Sequence, residues 1–414
     1  KMKKNSILLI AHNYWPENFP INKISNKLLE KNYNIDILTG KPNYPEGKIF
    51  KNYKILDFRK DKFNKIVIHR VPIFPRGNGN SINLILNYLS FVLSAIFFGY
   101  FLLYKKKFDI VFVNAPSPIL QSLIGIFFSK IFKIKVITWV QDLWPDVLYS
   151  TGHIKSKIIL NIVEKIVNYI YIKNDMLLVQ SNEFKNIISN KVNNSNIYHL
   201  PNPGNIKYLK NYSNQNLNFF DFKSKIKNSF SIVYGGNIGK VQSIETLVKS
   251  CVFLEKDKSI SIFIIGDGSE LNSAKKLAYN LKLKNLFFSG YVNEDDLISM
   301  LNDSKILYLS LIKDKILNST IPSKLQNYLA CGKPIIGSIS GEAKKIIFDS
   351  TCGFTCEPEN EKELSDLILK MRNMPQNKLN EMGKNGLKYF LNYYHPDIIN
   401  NKLSKHINSL IIEK

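Results

Sequence analysis

Apolar positions along the chain alternate between two patterns. Residues 7–11 (Ile-Leu-Leu-Ile-Ala) form a short unbroken run, and mainly apolar stretches read as further strands recur at 35–39, 109–114, 134–140, 176–180, 231–234, 260–265, 285–289 and 305–310. Uninterrupted runs of this length predict strands buried on both faces, as in parallel sheets covered by helices. Helical spacing appears over 21–32 and 119–132, and after 239 the apolar residues at 244, 247, 248, 251 and 252 make one stripe. Three more helices are predicted over 361–372, 376–392 and 396–412. Strand followed by helix, repeated in both halves, predicts an α/β chain of two Rossmann-like parallel-sheet domains facing each other across a cleft. Pro-Asn-Pro-Gly at 201–204 is the best hinge between them.

Turn formers gather where strands end, the edge at which open α/β folds bind ligands. In the first half these are Gly-Lys-Pro-Asn-Tyr-Pro-Glu-Gly-Lys at 40–48, Asn-Ala-Pro-Ser-Pro at 114–118 and Gln-Asp-Leu-Trp-Pro-Asp at 141–146. His12, Asn13, Asn43, Tyr44 and Glu46 are thereby placed to line one cleft, although an ordinary loop role suits each of them equally. Asp142, at a strand's carboxyl end, suits accepting a proton or orienting a hydroxyl; it also suits capping a turn. The second half has Gly-Gly-Asn-Ile-Gly at 235–239, Gly-Asp-Gly at 266–268 and Gly-Tyr-Val at 290–292. A glycine-rich turn between strand and helix lets backbone approach a phosphate.

The most informative stretch is 321–337, read as a short helix followed by a strand. Ser323 and Gln326 have capping-box spacing, Leu325, Tyr328 and Leu329 make one apolar face, Gly332 ends the helix and Pro334 prevents its resumption. Lys324 then stands in the first turn, where a cation is misplaced unless an anion joins it. Free backbone N–H groups, the helix dipole and an ammonium together make a phosphate seat. The plain alternative is one more surface lysine.

Residues 82–104 are the most hydrophobic segment and run into Lys105-Lys-Lys107. Three readings compete: a spanning helix, a helix buried beneath the sheet, and an amphipathic helix lying in the membrane surface. Asn83, Asn87, Ser90 and Ser94 recur at helical spacing, which argues against a span surrounded by lipid. An apolar face with a basic end suits an anionic leaflet.

Composition narrows the partners. A chain of 414 residues implies two or three domains, and 57 Lys+Arg against 33 Asp+Glu gives a formal charge of +24. The lysines are dispersed, not gathered with aromatics on one face, so nucleic acid is not expected. Cys251, Cys331, Cys352 and Cys356 with six scattered His give no zinc pattern, and no Asp-x-Asp motif offers a metal site. Reduced thiols fit a cytosolic protein, and the apolar run after Lys3-Lys4 is too short for a secretory signal.

Taken together, Thr-Gly-Lys-Pro-Asn-Tyr-Pro-Glu-Gly-Lys-Ile-Phe at 39–50, Trp-Val-Gln-Asp-Leu-Trp-Pro-Asp at 139–146, Gly-Asn-Ile-Gly-Lys-Val-Gln at 236–242, Ile-Pro-Ser-Lys at 321–324 and Leu-Ala-Cys-Gly-Lys-Pro at 329–334 resemble a known family over nearly the whole chain. This is the retaining, nucleotide-sugar-dependent GT-B glycosyltransferases of family 4, in particular the bacterial surface-polysaccharide branch that includes the N-acetyl-L-fucosamine transferases. The resemblance implies domains at 1–200 (acceptor-binding and membrane-facing) and 201–390 (donor-binding), with 391–414 returning to the first. It implies that Gly236, Asn237, Ser323 and Lys324 meet the donor diphosphate, with Gln242, Gly266 and Leu325 also on the donor side. Gly290, Tyr291 and Val292 would frame the nucleobase. Asp142 would lie near the sugar and the acceptor, with His12, Asn13, Asn43, Tyr44, Ser117 and Gln141 on the acceptor side. The implied donor is a UDP-sugar, such as one carrying L-FucNAc, and the implied acceptor is a saccharide on a polyprenyl diphosphate in O-antigen or capsule assembly. No cofactor or metal is expected, and the location would be cytoplasmic, on the inner face of the membrane.

Departures from the family pattern are specific. Its paired glutamates fall at Ser319 and Asn327, its Arg and Lys near Asn237 and Gln242, its His at Gln141, and its N-terminal Gly-Gly loop is replaced around Asn18-Phe-Pro-Ile21. Lys324 is left as the chief cation for the phosphates. The alternatives are a nucleotide-sugar epimerase on the same fold and a non-catalytic relative.

Overall fold

The computed structural model describes residues 4–54, 56–58, 60–147, 156–210 and 219–412. They fall into two compact units: residues up to Pro201 together with those from Asn400 on, and Asn202–Ile399.

The first unit is built on an eight-stranded sheet. Its strands are β1 (Ser6–Ile10), β2 (Asn34–Gly40), β3 (Asp61–Phe63), β4 (Ile66–Val71), β5 (Ile110–Ala115), β6 (Lys135–Val140), β7 (Met176–Val179) and β8 (Ile197–His199), in the order β3-β4-β2-β1-β5-β6-β7-β8. Every pairing is parallel except β3 with β4. The order reverses between β1 and β5, which opens a crevice at their carboxyl ends. β4 has no clear signal in the sequence, because His69 and Arg70 interrupt its apolar pattern. Both are buried: His69 Nε2 meets Asp36 at 2.8 Å, and Arg70 pairs with Asp61 and lies 4.9 Å over the Tyr53 ring.

The apolar segment forms one helix, Ser81–Leu103. Asn87, Phe91, Ala95, Gly99 and Leu103, four residues apart, are buried against the domain along the helix's length. Gly99 is required for that approach, since a Cβ there would come within 3.1 Å of Leu38 and 3.2 Å of Phe128. The polar stripe faces inward: Asn87 Nδ2 donates to the Phe74 carbonyl (2.6 Å) and Ser90 Oγ accepts from the Phe74 amide (2.8 Å). The outward face is apolar, with Ile82, Leu93, Phe97 and Phe101 each more than half exposed. A helix packed so on its own sheet is a domain helix with a bare apolar flank. From Asn400 on, the last helix (Pro396–Ile412) belongs to this unit, with Leu403, Ile407 and Leu410 buried and Tyr33 Oη donating to Asn408 at 2.7 Å.

The second unit holds six parallel strands, β9 (Phe230–Gly235), β10 (Ile260–Ile265), β11 (Leu286–Gly290), β12 (Ile306–Ser310), β13 (Ile335–Ser338) and β14 (Gly353–Cys356), in the order β11-β10-β9-β12-β13-β14. Here the reversal lies between β9 and β12. Helices cover the sheet, and their apolar sides form two buried clusters around it.

Candidate functional site

In the first unit, the loops after β1, β2, β5 and β6 meet beside the point of reversal. Each contains one cis X-Pro bond: Trp15–Pro16, Tyr44–Pro45, Ser117–Pro118 and Trp144–Pro145. A cavity of about 690 Å³ opens there. Of the expected acceptor-side residues, His12, Asn13, Tyr44, Ser117 and Gln141 line it, and so does Asp142. Asn43 does not. It is buried behind the wall, its Oδ1 accepting from the Arg76 amide at 2.9 Å and its Nδ2 donating to the Lys41 carbonyl, so its polar groups are spent on the loop. Glu46 is exposed and also outside the lining.

The chemistry of this cavity is set by burial. Asp142 has its carboxyl pushed up to about 6 by desolvation. His12 is held down near 4 by burial and then by the Arg76 guanidinium, against a hydrogen bond from Asn13, so its ring is neutral at pH 7. Gln141 donates to Asn114 Oδ1 at 3.1 Å, tying the ends of β6 and β5. Glu17, which no pattern in the sequence marks, is buried. Its Oε1 accepts from the amides of Asn43 (2.9 Å) and Tyr44 (2.7 Å) and from Asn13 Nδ2 (3.0 Å), holding two loops together. Arg76 and Tyr88 are likewise unmarked in the sequence and line the cavity, as does Trp144 of the 141–146 turn.

In the second unit, glycines allow three strand ends to close on one another. Gly236 (φ +127°) donates to the Ile265 carbonyl at 2.8 Å, and Gly266 (φ +134°) donates to that of Gly290 at 3.0 Å. A Cβ on Gly266 would stand 2.0 Å from the Gly236 oxygen, and one on Gly236 would stand 2.6 Å from Lys324 Cε. The glycines therefore make the room that the lysine occupies.

Lys324 Nζ donates to the Asn237 carbonyl at 2.9 Å and to Tyr234 Oη, and lies 4.0 Å from the centroid of the Tyr234 ring. Among the described residues no carboxylate pairs with it, and burial alone brings it down to about 7. It stands in the first turn of Ser323–Cys331, ended by Gly332 at φ +64°. The expected capping box is absent: Pro322 is the N-cap, Ser323 is already helical, and Gln326 Nε2 donates instead to the Asn202 carbonyl at 2.8 Å. Among the described residues no side chain caps this helix start.

Other donor-side expectations divide. Asn237 and Gln242 join the glycine-rich loop, Gln242 Oε1 accepting from the Gly239 amide (2.9 Å) and from Asn237 Nδ2 (3.3 Å). Ser323 and Tyr291 are exposed and Val292 half-buried near the Gly290 turn. Leu325 has its side chain fully buried in the core, and its amide donates to the Pro322 carbonyl at 2.9 Å. Ser319 is buried with Oγ donating to the Ile316 carbonyl at 2.6 Å, and Asn327 hydrogen-bonds Tyr208. Among the described residues no group of three or more His, Cys, Asp or Glu is arranged to hold a metal ion.

The chain has relatives among known proteins. Residues 217–389 match the family described as "Glycosyl transferases group 1". An uncharacterized glycosyltransferase of Methanocaldococcus jannaschii is 26% identical over 371 residues, covering 88% of this chain and 87% of that protein. The putative colanic acid biosynthesis glycosyl transferase WcaI of Escherichia coli K12 is 21% identical, covering 79% and 81%. Among solved structures, Anabaena HepE in complex with UDP and glucose superposes with a TM-score of 0.66 at 12% identity, covering 98% of this chain and all of that one.

Proposed function

We propose that this chain is a group 1 glycosyltransferase of the GT-B fold that moves a sugar from a UDP-sugar to a lipid-linked saccharide in bacterial surface-polysaccharide assembly. The observation that carries the donor half is Lys324: a half-buried ammonium without a carboxylate among the described residues, beside an uncapped helix start and the glycine-closed ends of β9, β10 and β11. A diphosphate supplies the missing negative charge, and the same groups stabilise the charge that grows on it as the glycosidic bond breaks. Metal-independent transfer is the consequence of assigning that task to Lys324 and backbone N–H groups. UDP as the nucleotide is supported by the ligand of HepE, and polysaccharide assembly by the name of WcaI.

Transfer is proposed to proceed with retention: the departing phosphate takes the proton of the acceptor hydroxyl, and Asp142 orients that hydroxyl. An N-acetylated deoxyhexosamine such as L-FucNAc is the proposed sugar, from the motif resemblance. A polyprenyl diphosphate is the proposed acceptor carrier, with the bare apolar flank of Ser81–Leu103 and Lys105 at its end resting on the anionic inner face of the membrane. Substituting Lys324→Ala is expected to lower turnover by roughly 10² or more while thermal unfolding stays near wild type. Unchanged turnover would remove Lys324 from the mechanism.

A further inference from the structure

We propose that the cavity of the first unit is the head-group site for a phosphorylated lipid, with Arg76 as the cation that receives its phosphate. The proposal deepens the acceptor reading above and rests on it.

Among the described residues Arg76 is the only Lys or Arg that lines the cavity. Among them, too, no carboxylate pairs with its guanidinium, which lies 5.4 Å from the centroid of the Tyr44 ring. Its amide is fixed by Asn43 Oδ1, so the residue is held in place through its backbone while its charge is left unmatched. A cation among apolar walls without a counter-ion marks a place for an anion.

Two buried polar atoms point the same way. His12 Nε2 and Trp144 Nε1 have no hydrogen-bond partner among the described residues, although both residues line the cavity and each is only 5% exposed. Leaving such groups unmatched is costly, and oxygen atoms of a phosphate or sugar would satisfy them. Tyr88 lies within the fields of both Arg76 and Asp142, so the cation and the reacting-side carboxylate belong to one small space.

The remaining wall identifies the group attached to the phosphate. Ile85 and Leu89 on one helix and Ile159 on Lys157–Lys173 line the cavity yet remain 43%, 47% and 47% exposed. Beside these lining residues in the sequence, Ile82 and Ile158 are 70% and 73% exposed, so apolar surface lies outside the cavity as well as in it. A soluble phosphosugar has no use for such a surface, whereas a lipid chain does. Charge at the inner end and hydrocarbon at the outer end match an amphiphile, at a volume within the range of roughly 300–1,000 Å³ typical of ligand sites.

The test is a titration of the full chain with farnesyl diphosphate, read by tryptophan fluorescence and calorimetry with no nucleotide sugar present. Farnesol and inorganic diphosphate are the parallel arms. Wild type is expected to bind farnesyl diphosphate more tightly than either. Arg76→Gln should weaken farnesyl diphosphate by about 10- to 100-fold and leave farnesol unchanged. Ile159→Asn should weaken both farnesyl compounds but not inorganic diphosphate. UDP affinity, measured on the same variants, reports whether the fold is intact. Equal affinity of Arg76→Gln and wild type for farnesyl diphosphate would overturn the proposal. So would inorganic diphosphate binding as tightly as farnesyl diphosphate, which would make this a soluble-anion site. Because no sugar is transferred in this assay, failure of the transfer reading and failure of the head-group site are separable.

Discussion

Desolvating an ammonium costs free energy that, among the described residues, Lys324 recovers from the Tyr234 ring, the Tyr234 hydroxyl and one carbonyl, and burial brings it down to about 7. A bound diphosphate favours the charged form and raises that value. Affinity for UDP is therefore expected to fall as pH rises through 7, with proton uptake on binding above that pH, and both effects should vanish in Lys324→Ala. Calorimetry in buffers of different ionisation enthalpy measures this; flat affinity from pH 6 to about 9 would contradict it. Asp142 has the opposite sign. Its carboxyl, near 6, is protonated below that pH and becomes an acceptor above it, so kcat/KM for the acceptor should rise through pH 6. In Asp142→Asn that limb should disappear, with a loss on the order of 10²-fold. Near-normal rates would reduce Asp142 to a turn cap.

At the scale of elements, the ends of β9, β10 and β11 are held together by residues that tolerate no side chain. Gly266→Ala is expected to destabilise by about 1–3 kcal/mol and to weaken UDP binding, since its Cβ meets the Gly236 oxygen at 2.0 Å in a backbone conformation of φ +134°. Gly290→Ala, with no described atom within 4 Å of its Cβ, is strained through its φ of +73° alone and should cost less. Thermal melts of the two variants decide the comparison. On the other unit, Leu93→Asp with Phe97→Asp alters side chains 69% and 61% exposed, so the fold should survive while co-sedimentation with anionic vesicles is lost. Unchanged co-sedimentation would argue against attachment through this flank. Most strands are legible in the sequence because apolar runs of strand length have few other uses, whereas the short β3, β8 and β14 carry no such run. β4 is hidden because His69 and Arg70 are matched by Asp36 and Asp61, partners that only tertiary structure supplies. The capping box fails for a similar reason, Gln326 being drawn to the Asn202 carbonyl.

Across the whole molecule, two units of different content carry two different polar constellations: Lys324 with a glycine-closed sheet edge in one, and Asp142 with Arg76 in an apolar cavity in the other. Strand-end loops mark most of these residues in the sequence, since parallel sheets gather such loops at one edge. Arg76 and Glu17 carry no such mark, because what distinguishes them is an unmatched charge and a set of buried amides; Trp144 lies in one of those loops, but its unmatched indole N–H does not show in the sequence. A faint signal is present in Arg76 itself, one of only four arginines among 57 basic residues, in a chain that otherwise uses lysine. The formal charge of +24 adds little, being spread along the sequence. Sugar transfer from a nucleotide donor is the central claim, and a donor panel tests it most directly. Purified protein and a lipid-linked acceptor are incubated with each common UDP- and GDP-sugar, and product mass is read together with release of nucleoside diphosphate. One UDP-sugar should yield stoichiometric UDP and an acceptor heavier by that sugar's residue mass; release of nucleotide with no mass gain, or no reaction with any donor despite tight UDP binding, would contradict it.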